Sequence, residues 1–190
     1  MTADTFHLNQ QLPLATDKPL WLFGYGSLIF RADFPFLDRK PARIAGWQRR
    51  FWQGSHDHRG TPDAPGRVAT LVPAQQAGWC VGMAYLISPE VLHPLDERER
   101  NGYLRVMTDL HLQGQGTVDG LMYIANADNG AFLGPAPLPD MARQIHHSAG
   151  QSGPNADYVL GLADALVDLQ AEDDHVFALA DAVRALRRTG

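Results

Sequence analysis

The sequence predicts an α+β fold. Segments with strand character fill the chain up to about residue 125, segments with helical spacing follow, and no internal repeat or low-complexity tract interrupts that order. Strands and helices segregated in this way mark α+β rather than the regular alternation of α/β proteins.

The elements follow in order. Residues 1–19 carry Thr, Asp, Gln and Pro without periodicity and read as an extended arm or flexible leader. Leu20-Trp21-Leu22-Phe23 is a short apolar run that stops at Gly24, the pattern of a buried strand ending in a tight turn. Residues 31–41, with Asp33, Pro35, Asp38 and Pro41, read as loop, and Arg43 to Gln53 as one strand mixing aromatics with arginines. His56 to Gly66 reads as loop; Arg67–Val72 and Trp79–Ile87 read as strands. Ser88-Pro89-Glu90 opens a helix that runs to about Asp96, because serine caps and proline suits a first turn. Tyr103–Leu112 and Thr117–Ala125 form a hairpin through Gly114 and Gly116. After a turn-rich stretch to Pro139, Asp140–Ala149 reads as a helix. Pro154–Leu169 and Asp173–Leu186 follow, with leucines and valines at helical spacing.

The 190 residues suit one compact domain. A hydrophobic share of 45% and a charged share of 19% exclude disorder of the whole chain. With 16 basic and 21 acidic residues the net charge is -5, against the basic surface that nucleic-acid binding needs. No run approaches the ~18 apolar residues of a membrane helix. Met1 to Pro19 lacks the apolar core of a signal peptide, so a cytoplasmic protein with a small-molecule partner is expected. A single cysteine, Cys80, excludes an internal disulfide and a thiolate zinc cluster, and its apolar neighbours suggest an inert core thiol.

Four stretches can carry chemistry. Phe23-Gly24-Tyr25-Gly26-Ser27-Leu28 places two glycines around an aromatic after a buried strand. Such a turn can aim backbone N–H groups at a carboxylate or oxyanion, or can simply end a strand. Neither a dinucleotide fingerprint nor a P-loop fits it. Leu95 to Tyr103 crowds Asp96, Glu97 and Glu99 with Arg98 and Arg100 at a helix-to-strand junction; one carboxylate held in a cleft there can shuttle a proton. Arg49 to Gly60 holds arginines able to grip a carboxylate. It also holds His56 and His58 at the spacing of two metal ligands, but no further ligands cluster with them, so hydrogen-bonding loop histidines are the better reading. Gly153 to Tyr158 opens a helix with a tyrosine in its first turn. No Gly-x-Ser-x-Gly elbow is present, and His146-His147 reads as structural.

In combination and in order, these stretches resemble the ChaC-type, glutathione-specific γ-glutamylcyclotransferases. The matching residues are Phe23–Ile29, Arg49–Ser55 with Asp57–Gly60, and Pro65–Val68. Further on come Leu95-Asp96 with Arg98-Glu99 and Gly102-Tyr103, Leu133–Pro137, and Gly153–Tyr158, spanning about residues 20–187. The resemblance implies a small β-barrel flanked by helices, with C-terminal helices packed on it, in a single domain over 20–190. It implies conversion of glutathione to 5-oxoproline and cysteinylglycine by a monomer or homodimer, with no metal and no organic cofactor. It implies Glu99 as the catalytic residue. Leu22, Phe23, Gly24, Tyr25, Gly26, Ser27 and Leu28 are implied as a substrate-binding loop, with Arg67, Tyr103 and Tyr158 as further substrate contacts. The chain departs from the family at Arg100-Asn101 and Leu104 around Gly102-Tyr103, and at Phe132 where a tyrosine is common.

The chemistry agrees with the failed search for a nucleophile. A γ-glutamyl group carries its own: the α-amine closes a lactam on the γ-carbonyl and expels the rest as an amine. One carboxylate of raised pKa can take the proton from the ammonium and return it to the leaving amine. Backbone N–H groups of Gly24 to Ser27 can receive the oxyanion or hold the glutamyl α-carboxylate. The cysteinylglycine carboxylate asks for a cation, with Arg49, Arg50, Arg59 and Arg67 as candidates and Trp52 as a wall. Glu97 is the alternative to Glu99. The rival readings are a γ-glutamylamine cyclotransferase of the same fold, a non-catalytic binding or regulatory module, and a hydrolase built on His56 and His58.

Overall fold

The computed structural model describes residues 4–11, 14 and 17–189. Five strands close a barrel in the order β1 (Leu20–Gly24), β5 (Trp79–Ile87), β2 (Asp38–Ala45), β6 (Tyr103–Leu112) and β7 (Gly116–Ala125). The β6–β7 hairpin pairs ten residues a side, from Tyr103↔Ala125 to Leu112↔Gly116. Closure comes from a short parallel pairing of β1 with β7, Trp21↔Gly120 and Leu22↔Leu121. A second hairpin, β3 (Trp47–Ser55) with β4 (Gly66–Pro73), stands off the barrel.

The expected single strand over 43–53 is two strands, because Gly46 takes φ +76 and turns the chain between them. β2 also begins at Asp38, inside the expected loop. The partner β5 supplies eight consecutive pairs from Asp38↔Leu86 to Ala45↔Trp79, so pairing overrides the weak strand character of Arg39, Lys40 and Pro41. β3 carries a bulge between Arg50 and Gln53. Its polar groups are met from outside the hairpin. Trp52 O accepts from Leu133 N at 2.8 Å and Gly134 N at 3.1 Å, and Phe51 N donates to His175 Nε2 at 3.0 Å.

After β5 a single 3-10 turn, Pro89–Val91, leads into α2 (Leu92–Arg98). Past β7 come α3 (Leu138–His147), the two-residue pair β8 (Ala149–Gly150) and β9 (Gly153–Pro154), α4 (Asn155–Asp168) and α5 (Asp174–Thr189). The last three helices pack on one another and on β3 and β4. Leu162, Leu166, Val176, Leu179 and Val183, the residues at helical spacing, form one core with Phe23, Phe51 and Met122. A second core lies between the barrel and α2: Leu22, Tyr85, Ile87, Leu92, Leu95 and Leu121. Successive side chains of a strand face opposite ways, so Leu22 and Phe23 enter different cores.

The expectation of a leader without structure is corrected over Asp4–Gln11. Phe6–Gln11 forms a helix, α1, and Asp4 bridges to Asn101. Thr5 N donates to Arg100 O at 2.8 Å, Asn9 Nδ2 donates to Tyr103 O at 3.0 Å, and Arg105 N donates to Asn9 Oδ1 at 2.9 Å. The segment docks through polar side chains, which hydrophobic periodicity does not register. Residues 1–3, 12–13 and 15–16 of that expectation lie outside the described residues.

Candidate active site

Because β1 and β7 are parallel and β6 is antiparallel to β7, Gly24, Tyr123 and Tyr103 emerge at the same end of the barrel. A cavity of about 630 Å³ opens there. Phe23–Leu28 form one wall, Glu97–Asn101 with Tyr103 a second, and Gly54–Arg59 a third, while α4 contributes Tyr158.

The wall after β1 is a tight turn. A 3-10 turn, Ser27–Ile29, starts directly behind Gly26, with Ile29 N donating to Gly26 O at 3.0 Å. The N–H groups that open such a turn have no acceptor within it and are free to meet an anion. Both glycines are sterically required. A Cβ at Gly24 would stand 2.6 Å from Leu28 Cβ, and one at Gly26 would stand 2.6 Å from Tyr158 Oη. The turn is anchored from behind by Arg49 Nε, which donates to Tyr25 O at 2.5 Å.

Glu99 caps the C-terminal end of α2, its N–H bonded to Leu95 O at 2.8 Å. Its side chain is 19% exposed. Burial raises its pKa. Arg98, whose Nε lies 3.3 Å away, pulls it back, while Asp33 and Asp57 push it further up. α2 is held to the barrel beneath it by Asp96, fully buried, which accepts from Arg105 Nε at 2.8 Å and from Tyr123 Oη at 2.8 Å. The helix runs past the expected Asp96 to Arg98, so Glu97 and Glu99 do not share the face of a strand. Glu97 lines the rim, 62% exposed beside His93.

Three tyrosines complete the wall. Tyr25 Oη donates to Tyr123 O at 2.5 Å, Tyr103 Oη donates to Ala69 O at 2.9 Å, and Tyr158 Oη accepts from Ala69 N at 3.4 Å. Burial raises all three pKa values, which keeps the phenols neutral and available as donors.

Most of the residues expected from the sequence meet here: Glu99, Phe23, Gly24, Tyr25, Gly26, Ser27, Leu28, Tyr103 and Tyr158 all face the cavity. Two do not. Leu22 is fully buried in the second core, one residue out of phase with Phe23. Arg67 is buried outside the cavity, donating to Gln144 Oε1 at 2.6 Å, Phe51 O at 3.0 Å and Gly134 O at 2.9 Å. Trp52 packs edge-on against Phe132 instead of lining a wall. Asn155 does not cap α4. Its side chain clamps the backbone of Arg67, accepting from N at 2.7 Å and donating to O at 2.8 Å. Cys80 is buried, with its pKa raised by burial. Among the described residues no three His, Cys, Asp or Glu side chains cluster as a metal site, and no helix is long and apolar enough to cross a membrane.

Two polar pairs at the cavity did not stand out in the sequence. Asn101 Nδ2 donates to Asp57 Oδ2 at 2.6 Å, tying the loop after β3 to the turn that carries Glu99. Arg98 bonds Asp33 and reaches Ser27 Oγ at 3.2 Å, tying that turn to the glycine turn. Both partners of each pair are common surface residue types; the signal that marks them is their position inside the stretches already singled out.

A family model for ChaC-like proteins matches residues 20–186. The chain is 45% identical over 178 residues to a protein of Arabidopsis thaliana named gamma-glutamylcyclotransferase 2-3, covering 87% of this chain and 88% of that one. It is 39% identical over 182 residues to the glutathione-specific gamma-glutamylcyclotransferase 1 of Homo sapiens, covering 87% and 79%. The crystal structure of a yeast γ-glutamyl cyclotransferase specific to glutathione superposes with a TM-score of 0.83 at 32% identity, over 89% of this chain and 97% of the other.

Proposed function

The chain belongs to the ChaC family, and from that premise we propose that it is an enzyme cleaving the γ-glutamyl bond of glutathione, releasing 5-oxoproline and cysteinylglycine. Glu99 acts as base and then acid. Its carboxylate takes a proton from the glutamyl α-ammonium, and the freed amine attacks the γ-carbonyl. The tetrahedral intermediate collapses with cleavage of the bond to the cysteinyl nitrogen, which receives the proton from Glu99; the ring nitrogen gives its second proton to the carboxylate so restored, and that proton leaves with the released amine or to solvent. The C–N bond formed and the C–N bond broken balance, so no water or other co-reactant is consumed. Folding the glutamyl chain so that its ends meet supplies the effective concentration. The N–H groups of the Gly24–Ser27 turn hold the α-carboxylate or the oxyanion, and Tyr25, Tyr103 and Tyr158 close the pocket around the glutamyl group.

One observation carries this reading: a half-buried carboxylate of raised pKa and a tight glycine turn face one cavity. The reaction needs its proton carrier neutral for part of the cycle, and a buried glutamate meets that need at lower cost than an exposed one. In this reading residues 20–190 form a single catalytic domain that works in the cytoplasm as a monomer or homodimer.

The test is direct. Purified protein with millimolar reduced glutathione and a chelator is expected to yield 5-oxoproline and cysteinylglycine in equal amounts by mass spectrometry. Glu99→Gln is expected to lower kcat by ~10² to 10⁴. Turnover of the variant at the wild-type rate would move the role to Glu97. Turnover of other γ-glutamyl amines in place of glutathione would change the substrate class.

A further inference from the structure

The geometry points to Arg59 as the receptor for the carboxylate at the glycyl end of the leaving dipeptide, and so as the residue that selects γ-glutamyl peptides over carboxylate-free γ-glutamyl amines. This rests on the reading of the chain as an enzyme acting on glutathione.

The arginines around the cavity differ in what they already hold. Arg49 is saturated by Tyr25 O, Val81 O and Asp173. Arg67 is saturated by Gln144, Phe51 O and Gly134 O and does not reach the cavity. Arg50 turns to Gln48 and to Arg49 O. Arg98 is taken by Asp33, Glu99 and Ser27. Arg59 is different. It lines the cavity and is 8% exposed, yet among the described residues its guanidinium makes one hydrogen bond, Nη1 to Pro154 O at 3.1 Å, and no ion pair. A guanidinium removed from water with most of its five donors unused is costly unless an anion completes it. Burial lowers its pKa; Tyr158 and Asp157 pull it back up, and Arg31 on the cavity rim pushes it further down.

The site is built, not merely vacant of partners. Arg59 N donates to Ser55 Oγ at 2.9 Å. Gln151 N and Ser152 N each donate at 2.9 Å, to Asp57 O and His58 O, so the loop carrying Arg59 is pinned by a backbone ladder. Gly60 and Gly66 touch so closely that a Cβ at Gly60 would stand 2.1 Å from Gly66 N. The guanidinium lies over the Tyr158 ring at 5.7 Å. The loop lines one wall of the cavity, with Asp57 bonded to Asn101 beside Glu99 and Arg59, two residues on, against the Tyr158 ring. In this assignment a ligand whose amine chemistry happens near Glu99 runs along that wall and meets Arg59 with its far end. A fixed guanidinium spends little entropy on gripping a carboxylate there.

The experiment compares glutathione with glutathione whose glycyl carboxylate is a primary amide, using wild type, Arg59→Gln and Arg59→Lys. Wild type is expected to prefer glutathione by about tenfold to a hundredfold in kcat/KM, mostly through KM. Arg59→Gln is expected to lose that factor on glutathione and little on the amide, so that the preference disappears. Arg59→Lys keeps the charge without the fork and is expected to retain part of the preference; it carries the test if Arg59→Gln fails to fold. Equal losses on both compounds, or a wild type active on both without preference, overturn the assignment alone. A wild type that turns over neither overturns the reading of the function as well.

Discussion

The hydroxyl of Tyr158 occupies the space that a Cβ at position 26 would need, 2.6 Å from it. Gly26 has φ -120 and ψ -128, and the tyrosine closes the space beside it to any side chain. A residue of α4 therefore dictates the residue type in a turn that follows β1, across more than a hundred positions of sequence.

Gly26→Ala is expected to displace Tyr158 or the turn and to lower kcat/KM at least tenfold, with an overpacking cost of about 1–3 kcal/mol in stability. Tyr158→Phe removes the clashing atom. In a double-mutant cycle the two losses should be smaller together than their sum. Strict additivity in kcat/KM and in stability would mean that the two residues do not share this space.

Glu99 carries a cost in stability. A carboxyl whose folded pKa is raised stabilises the fold below its unfolded pKa, and that contribution is lost as pH rises through the folded value. Glu99→Gln should then be at least as stable as wild type at pH 7, the advantage shrinking as pH falls through the raised folded value and gone below about 4.5. Thermal melts at pH 7 and pH 4 check this. A variant less stable than wild type at pH 7 shows that the Arg98 contact outweighs burial.

His175 contributes in the opposite direction on the acid side. Its Nε2 accepts the Phe51 N–H at 3.0 Å, and burial, followed by nearby Arg50, lowers its pKa to about 4. The unfolded chain binds a proton there from about pH 6.5. Between pH 6.5 and 4 the unfolded state therefore holds more protons, and stability falls as pH drops, by about 2–3 kcal/mol at pH 4.5. His175→Gln keeps an acceptor for Phe51 and should flatten this window. Urea unfolding at pH 7 and 4.5 decides it: equal pH dependence in both proteins places the titration elsewhere.

Asp96 should be the most costly polar residue to remove. It bonds both Arg105 and Tyr123, and removing one partner of a buried ion pair costs about 3–5 kcal/mol. For Asp96→Asn this is roughly 6–20 °C in Tm. Circular dichroism melts measure it, and a shift of a degree or two would show that the network relaxes.

Elements whose apolar pattern is set by their own packing were readable from the chain: β1, β4, β5, the β6–β7 hairpin, α4 and α5. Elements formed by pairing or polar docking were not. β2 carries Arg39, Lys40 and Pro41 and exists because β5 pairs it, and α1 is held by Thr5 and Asn9. In the cavity, the glycine turn and the buried glutamate lie inside contiguous motifs and were legible as such. Arg59 was one arginine among four until burial and hydrogen bonding separated it from Arg49, Arg50 and Arg67. Arg67 sits within a matching motif and Leu22 directly before one, but their side chains serve the hairpin and the second core.

The parallel pair Leu22↔Leu121 also sets a timetable. As the chain leaves the ribosome, β1 must wait for a hundred residues before its second neighbour exists, and loop closure over such a span is slow. The strand edge it presents meanwhile is apolar and open to wrong partners. The cavity is completed later still, when Tyr158 arrives with α4. A nascent chain thus gains this cavity only once α4 has been made, and a product truncated before α4 would lack Tyr158 and the hydroxyl that stands against Gly26.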